Sequence, residues 1–401
     1  MKTSRLESAD GFDPFWNPLD FSLIRGGPAF LLLRQLRLTD DALGLVGRRI
    51  VVISLICWLP LLVLSSVQHV STAVPFLLDV EVHVRFLFVV PLLIGAERVV
   101  HRRMRFVAKE FLDRHLIPES AMTRFKTAVV SSFRLRNSVL AEFLLLAFVY
   151  VFGILILWRH YMAFGVATWY ATPSTDRLNL SWAGIWYGYV GLPIFQFLLC
   201  RWYFRLFIWA RFLWKVSHID LSLVPTHPDR AGGLGFLSEK IYAFVPVVIA
   251  HGALLAGLLG NRIYHLGAKL PDFTLEISAL VIFLMCIVLG PLLMLAPQLA
   301  HAKRIGRREY GSLAGRYVRE FDAKWVRGGA AGDEPLLGSP DIQSLADMGN
   351  SFEVIRTIRI VPFTRETILM LAAAALAPIA PLLLTVISLD ELLKKLLGIW
   401  F

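Results

Sequence analysis

Residues 181–200 run for twenty positions without a charged side chain, and Arg201, Arg205, Arg211 and Lys215 follow directly. As a helix such a run reaches about 30 Å, the thickness of a bilayer's hydrocarbon core. No water is available at that depth to pair with backbone N–H and C=O groups, so the chain must satisfy them as a helix or a closed barrel. A run this long is about twice what a barrel strand needs, which leaves the helix. Similar runs recur at 50–67, 138–158, 241–260, 277–300 and 367–389. The composition agrees, at 56% hydrophobic and 18% charged residues, with a mean hydropathy of +0.62. The expectation is an all-α, polytopic membrane bundle of about seven spans.

The remaining span is the least regular. Its uncharged core, 86–96, is eleven residues long, so a crossing must include Asp79, Glu81, His83 and Arg85 on one side or Glu97 and Arg98 on the other. As a helix, this segment lets Glu81 pair with Arg85, and Asp79 with His83, four positions apart. As an extended segment, alternation puts the four polar groups on one face. A loop followed by a short span is the third reading.

A net charge of +11 raises the question of nucleic acid, but the basic residues cluster at the ends of apolar runs, where they meet anionic headgroups and set topology. No nucleic-acid partner is expected. Of 41 Lys and Arg, 34 lie in 1–49, 98–137, 201–240 and 301–366. Those segments are assigned to the cytoplasm, which puts the N-terminus inside and the C-terminus outside a plasma (inner) membrane. No signal-peptide pattern precedes residue 50, so the first span is expected to direct insertion. Cys57, Cys200 and Cys286 are too scattered for a disulfide framework.

The organisation follows from these assignments. Residues 1–49 form an arm whose part at 29–38 suits an interfacial helix. Residues 50–300 form the bundle, including a cytoplasmic helical hairpin at 98–137 and a loop at 215–240. Residues 301–366 make a long helical cytoplasmic extension, broken by the glycines between 328 and 338 and restarted by Ser339 and Pro340 as N-cap and first-turn residues. In it Leu345, Met348, Phe352 and Ile355 form a stripe that packs on the protein's own helices or on a partner. Residues 367–401 hold the last span and an interfacial tail.

Five features carry chemistry. On a helix of about 100° per residue, Arg201, Arg205, Arg211 and Lys215 share an arc of about 120°, flanked by Trp202, Trp209 and Leu213 on one side and Tyr203, Phe207 and Trp214 on the other. That face lines an anion-attracting vestibule, binds acidic headgroups, or snorkels to the interface where the apolar run ends. Glu142, near the same membrane surface, is a partner for Arg201. His251, midway along 241–260, either relays protons or donates to a helix carbonyl. The pairs His218/Asp220 and His227/Asp229 hold the ligand types of a metal site, in a spacing that matches no metal signature. Asp229, Arg230, Gly232, Gly233 and Gly235 either present backbone N–H groups to an anion or form a tight turn. The fifth feature is a set of prolines, among them Pro60, Pro246, Pro291, Pro378 and Pro381, which kink the spans as cavities and gates require.

The function expected is a channel or transporter for a small ion or solute, working as a homo-oligomer in a bilayer with anionic headgroups, without a cofactor and not as an enzyme. In this reading Glu81, Arg85 and His251 line or gate the path and the face from Arg201 to Lys215 forms its cytoplasmic mouth, with Glu142, Arg201 and Arg205 as further permeation or gating candidates. The alternatives are a membrane-surface enzyme acting on a lipid-linked or phosphorylated substrate and a signalling or assembly module.

Overall fold

The computed structural model describes residues 20–40, 43–68, 74–158, 168–172, 179–331 and 334–385. Their regular structure is helical apart from a two-residue antiparallel pairing of β1 (Ala171–Thr172) with β2 (Asn179–Leu180) and a single bridge between Val74 and Thr168.

Helix α1 (Pro28–Gln35) begins on a proline, as first turns favour, and leaves Leu31, Leu32 and Leu36 exposed. Helix α2 (Val46–Gln68) carries Pro60 inside it. Helix α3 (80–104) contains the ambiguous segment: Asp79 caps it by accepting the Val82 N–H at 3.2 Å, and Glu81 through Arg85 are wound into its first turns. The extended and loop readings of this stretch are therefore replaced by helix.

The hairpin region forms α4 (Val107–Asp113) and α5 (Met122–Arg136), separated around Pro118. Their rings Phe111 and Phe125 pack with Phe212 and Phe236 at centroid distances of 5.2–6.3 Å, with Phe21 4.5 Å from Phe212. This aromatic cluster fixes the arginine-rich end of the bundle.

Helix α6 (139–158) leads to α7 (Trp182–Ser217), α8 (Phe236–Leu266) and α9 (Leu270–Leu293). Four helices, α2, α7, α8 and α9, are long and apolar enough to cross a membrane. Residues 119–136 and 139–153 make a fifth if counted together across their 48° bend. The described residues thus supply four or five candidate spans where about seven are expected. Helix α3 carries too many charges for the same measure, and α12 (Arg365–Leu376) ends after twelve residues in a turn and a 3₁₀ segment (Ala380–Thr385). Pro378 and Pro381 account for that ending; the rest of the expected span at 367–389 and the expected interfacial tail lie outside the described residues.

Helix α8 is the hub. In its most apolar stretch 67% of residues are buried, against 17% for α2, so α8 is enclosed by protein and α2 lies on the periphery. Gly257 makes this enclosure possible: a Cβ there would lie 3.2 Å from the Glu81 Cα and 3.3 Å from the Val84 Cβ, so α3 comes against α8 backbone to backbone. Helices α10 (Ala296–Phe321) and α11 (Pro340–Arg356) form a separate hairpin, where Ile355 is buried and Phe352 lies against Gly311. The 345–355 stripe packs on the chain's own helix.

Candidate functional site

A cavity of about 450 Å³ opens where α3, α7 and α8 meet, at the end of the bundle away from the arginine clusters. Asp79, Glu81 and Arg85 at the start of α3, Tyr187 and Gln196 from α7, Asn261, Arg262 and His265 from α8, and Thr168 and Tyr170 supply its polar groups; Leu192, Phe195, Leu199 and Leu258 are among its apolar ones. The Arg85 guanidinium donates to Glu81 and to the Tyr187 hydroxyl, and sits 5.5 Å from the centre of the Phe195 ring. Cation, anion and ring thus hold one another in a site dominated by apolar atoms, where their fields are poorly screened.

Asp79 anchors this wall. It accepts from Val82 N–H, from Asn261 Nδ2 at 2.7 Å and from the Trp169 indole at 2.8 Å, while Asn261 Oδ1 accepts the Val80 N–H at 2.9 Å. These bonds tie the start of α3 to α8 and to the 168–172 segment. His83 does not join Asp79: it accepts from the Trp58 indole through Nδ1 at 2.9 Å and lies 3.2 Å from the Leu77 carbonyl through Nε2.

Three of the helices that contribute to the lining, α3, α6 and α7, share a local irregularity. Val84–Val89, Val149–Trp158 and Tyr187–Gly191 are wound as π turns, and they carry Arg85, Gly153 and Tyr187 of the lining. A π turn inserts one residue into the α ladder and is found mostly at functional positions.

Farther along α7 lies a second polar cluster, fully buried. Glu97 accepts from Arg49 and, at 2.8 Å, from Arg205; the three residues are 3, 2 and 4% exposed. Beside it Arg201 lies 3.6 Å from Glu142, whose other oxygen accepts the Ala29 N–H at the start of α1 at 2.5 Å. The vestibule, headgroup and snorkelling readings of Arg201 and Arg205 are corrected here. The end of the apolar run does not leave these arginines exposed, because α3 and α6 pack around the next turns of α7 and supply Glu97 and Glu142, while the start of α2 adds Arg49. The two flanks of the α7 wheel separate cleanly: Trp202, Trp209 and Leu213 are buried, Phe207 and Trp214 exposed. Arg49 was invisible as a site residue because it reads as a flanking charge. Glu97 had a signal: Val90, Leu93, Ile94, Glu97, Val100 and Met104 occupy one buried face of α3, with a carboxylate in an apolar pattern.

His251 is absent from the cavity lining. Its Nδ1 lies 2.7 Å from the Val247 carbonyl and its Nε2 2.7 Å from the Tyr203 hydroxyl, so both ring nitrogens are engaged.

The glycine loop is filled by its own chain. Asp229 accepts N–H bonds from Ala231 (2.8 Å), Gly233 (3.2 Å) and Gly235 (2.8 Å), so the amides that could cradle an anion already hold one. Gly232 and Gly233 take φ of 62° and 99°, and Arg230 53°, which is the turn's requirement. Burial pushes the Asp229 carboxyl up, but the three N–H groups and neighbouring His227 outweigh it and hold it below its usual range. His227 lies 2.9 Å from Asp229, whereas His218 lies 2.7 Å from the Trp214 carbonyl and Asp220 is exposed. Among the described residues no three His, Cys, Asp or Glu side chains gather as metal ligands. Arg359 closes the loop, donating to the Asp229 carbonyl at 2.9 Å and, from its backbone, to the Arg230 carbonyl at 2.9 Å.

Comparison with protein-family models, with curated proteins and with solved structures finds no match to this chain.

Proposed function

We propose that the protein is a transporter or channel for a small ion or solute, set in the plasma (inner) membrane by about seven crossings, with α3 and the 365–389 region completing the count. The distribution of Lys and Arg supports an N-terminus in the cytoplasm and a C-terminus outside. The carrying observation is the cavity of about 450 Å³ between apolar helices, with Glu81 paired to Arg85 inside it. Charged groups among membrane helices are costly to keep and mark solute paths.

In this reading the cavity is the outward-facing binding chamber. Gln196 at its floor and Arg201 and Arg205 below it succeed one another along α7, about 7 and 14 Å farther on at 1.5 Å per residue. The Arg49–Glu97–Arg205 cluster then acts as the closed inner barrier, and passage requires its ion pairs to part.

The test is flux in liposomes containing the purified protein, over a panel of monovalent ions and small zwitterionic and anionic solutes. One species is expected to move well above empty liposomes, and Arg85→Gln and Glu81→Gln are each expected to cut its flux at least tenfold with the fold intact. Absence of flux for every species across pH 5–8, or flux indifferent to both substitutions, refutes the reading.

A further inference from the structure

A second concavity, about 460 Å³, lies at the other end of the bundle between α5 and the last turns of α7. Thr123, Arg124 and Thr127 line it from α5, and Trp214, Lys215 and His218 from α7 and its end. Among these described lining residues there is no carboxylate, so nothing offsets the two cations. Arg211 adds a third, held with Lys215 on the Ser131 hydroxyl at 3.4 and 2.7 Å. A groove with cations, threonine hydroxyls and no acid suits a phosphate-bearing anion.

Two observations say where that phosphate comes from. Gln298 sits two residues before the end of the apolar run 277–300, and its side-chain amide donates to the carbonyls of Ser217 and Ile219, both at 2.7 Å. Ser217 ends α7 and Gln298 follows α9 by five residues, so the groove lies by the ends of two helices long and apolar enough to cross a membrane. In addition, Phe207 and Trp214 are 55 and 50% exposed, although both are large and apolar. Seven positions apart, they fall about 20° from each other on α7 and form one aromatic strip running down to the groove. An exposed aromatic strip ending in a tryptophan beside lysine and arginine is what the boundary between acyl chains and headgroups selects.

We infer that the α5–α7 groove binds the phosphate of an anionic phospholipid headgroup, with Arg124 and Lys215 as its charge partners and Trp214 at the acyl boundary. The site depends on the chain being membrane-embedded and not on transport, so its binding readout stands or falls apart from the flux test.

The experiment uses the full chain in neutral detergent, with short-chain phosphatidylglycerol and phosphatidylcholine titrated separately and retained lipid counted by native mass spectrometry. Phosphatidylglycerol is expected to bind at least tenfold tighter. Each cation near the headgroup is worth roughly a factor of five, so Arg124→Gln with Lys215→Gln should weaken binding about 25-fold. Arg124→Gln alone, at an exposed position, should weaken it about fivefold and guards against misfolding of the double variant. Arg307→Gln with Arg316→Gln, exposed on α10, should leave it unchanged. Equal affinity for the two lipids, or no loss in the groove variants, overturns the site. Displacement of the lipid by millimolar inorganic phosphate overturns the lipid as its occupant and makes it a site for soluble phosphate.

Discussion

Removing the carboxylate of Glu97 is the most demanding test of how this bundle is held together. Glu97 stands between Arg49 and Arg205, whose side chains are 2 and 5% exposed. Substitution by leucine leaves two guanidinium groups facing each other with no counter-ion. Glu142, the other carboxylate of this region, is already engaged by Arg201 and by the Ala29 N–H. Breaking a buried ion pair costs about 3–5 kcal/mol, because the residual charge cannot regain water. The Glu97→Leu variant should fall at the upper end, since two charges are stranded. At about 2 °C per kcal/mol for a large domain, the apparent Tm should drop by roughly 10 °C.

Cys57 provides the assay. It is fully buried in α2, while Cys200 is half-buried and Cys286 exposed, so a Cys200→Ser/Cys286→Ser background exposes a thiol to dye only on unfolding. The diagnostic variant is the triple replacement Arg49→Met, Glu97→Met, Arg205→Met. Apolar groups of similar volume remove the stranded charges, and such replacements are neutral or stabilising by about 1–4 kcal/mol. The triple variant should therefore recover the Tm that Glu97→Leu loses. A shift below 2 °C in the single variant, or a triple variant no better than the single one, would refute the reasoning. If the triple variant is stable yet inactive in liposomes, the cluster serves passage and not folding.

Two further outcomes follow from the loop and the hub. Asp229 has a folded pKa held below its unfolded value, so its stabilisation is complete above about pH 4 and is lost as pH falls through the folded pKa. Asp229→Asn should lower stability at pH 7 by about 2 kcal/mol, the scale of charged hydrogen bonds, and should flatten the acid limb of a stability profile; an unchanged limb would show the acid loss arises elsewhere. Gly257→Leu should drive α8 away from Glu81 and Val84, costing about 1–3 kcal/mol or more in overpacking, with Gly257→Ala intermediate; a leucine variant with native melting and native flux would remove Gly257 from the account.

Much of the helical layout was legible before any coordinate, because long apolar runs leave the backbone no other solution in hydrocarbon. Glu81 and Arg85 could be placed together from their spacing on one helix. Glu142 and Arg201 could be named as partners because the start of one run and the end of the other are assigned to the same membrane surface. The Arg49–Glu97–Arg205 cluster could not, since its members are 48 and 108 positions apart and meet only once α2, α3 and α7 have chosen facing sides. Counting basic residues for topology even hides Arg49, because it treats every arginine at a span end as a surface charge. The glycine loop was legible as one of two alternatives. Its N–H groups were read as an anion cradle or as a tight turn; the turn is what forms, and the anion it holds was already in the sequence, four residues before the second of the loop's paired glycines.

The three π turns around the cavity have a mechanical consequence. Each holds one residue more than an α ladder accommodates, so returning Val84–Val89 to α winding would advance the rest of α3 by one position. That is a rotation of about 100° with about 1.5 Å of travel, a screw step and not a tilt. One such step would carry Arg85 off Tyr187 while leaving the helix axis where it is. A helix with a stored extra residue can thus turn its polar groups in place, without any rocking of one half of the protein against the other.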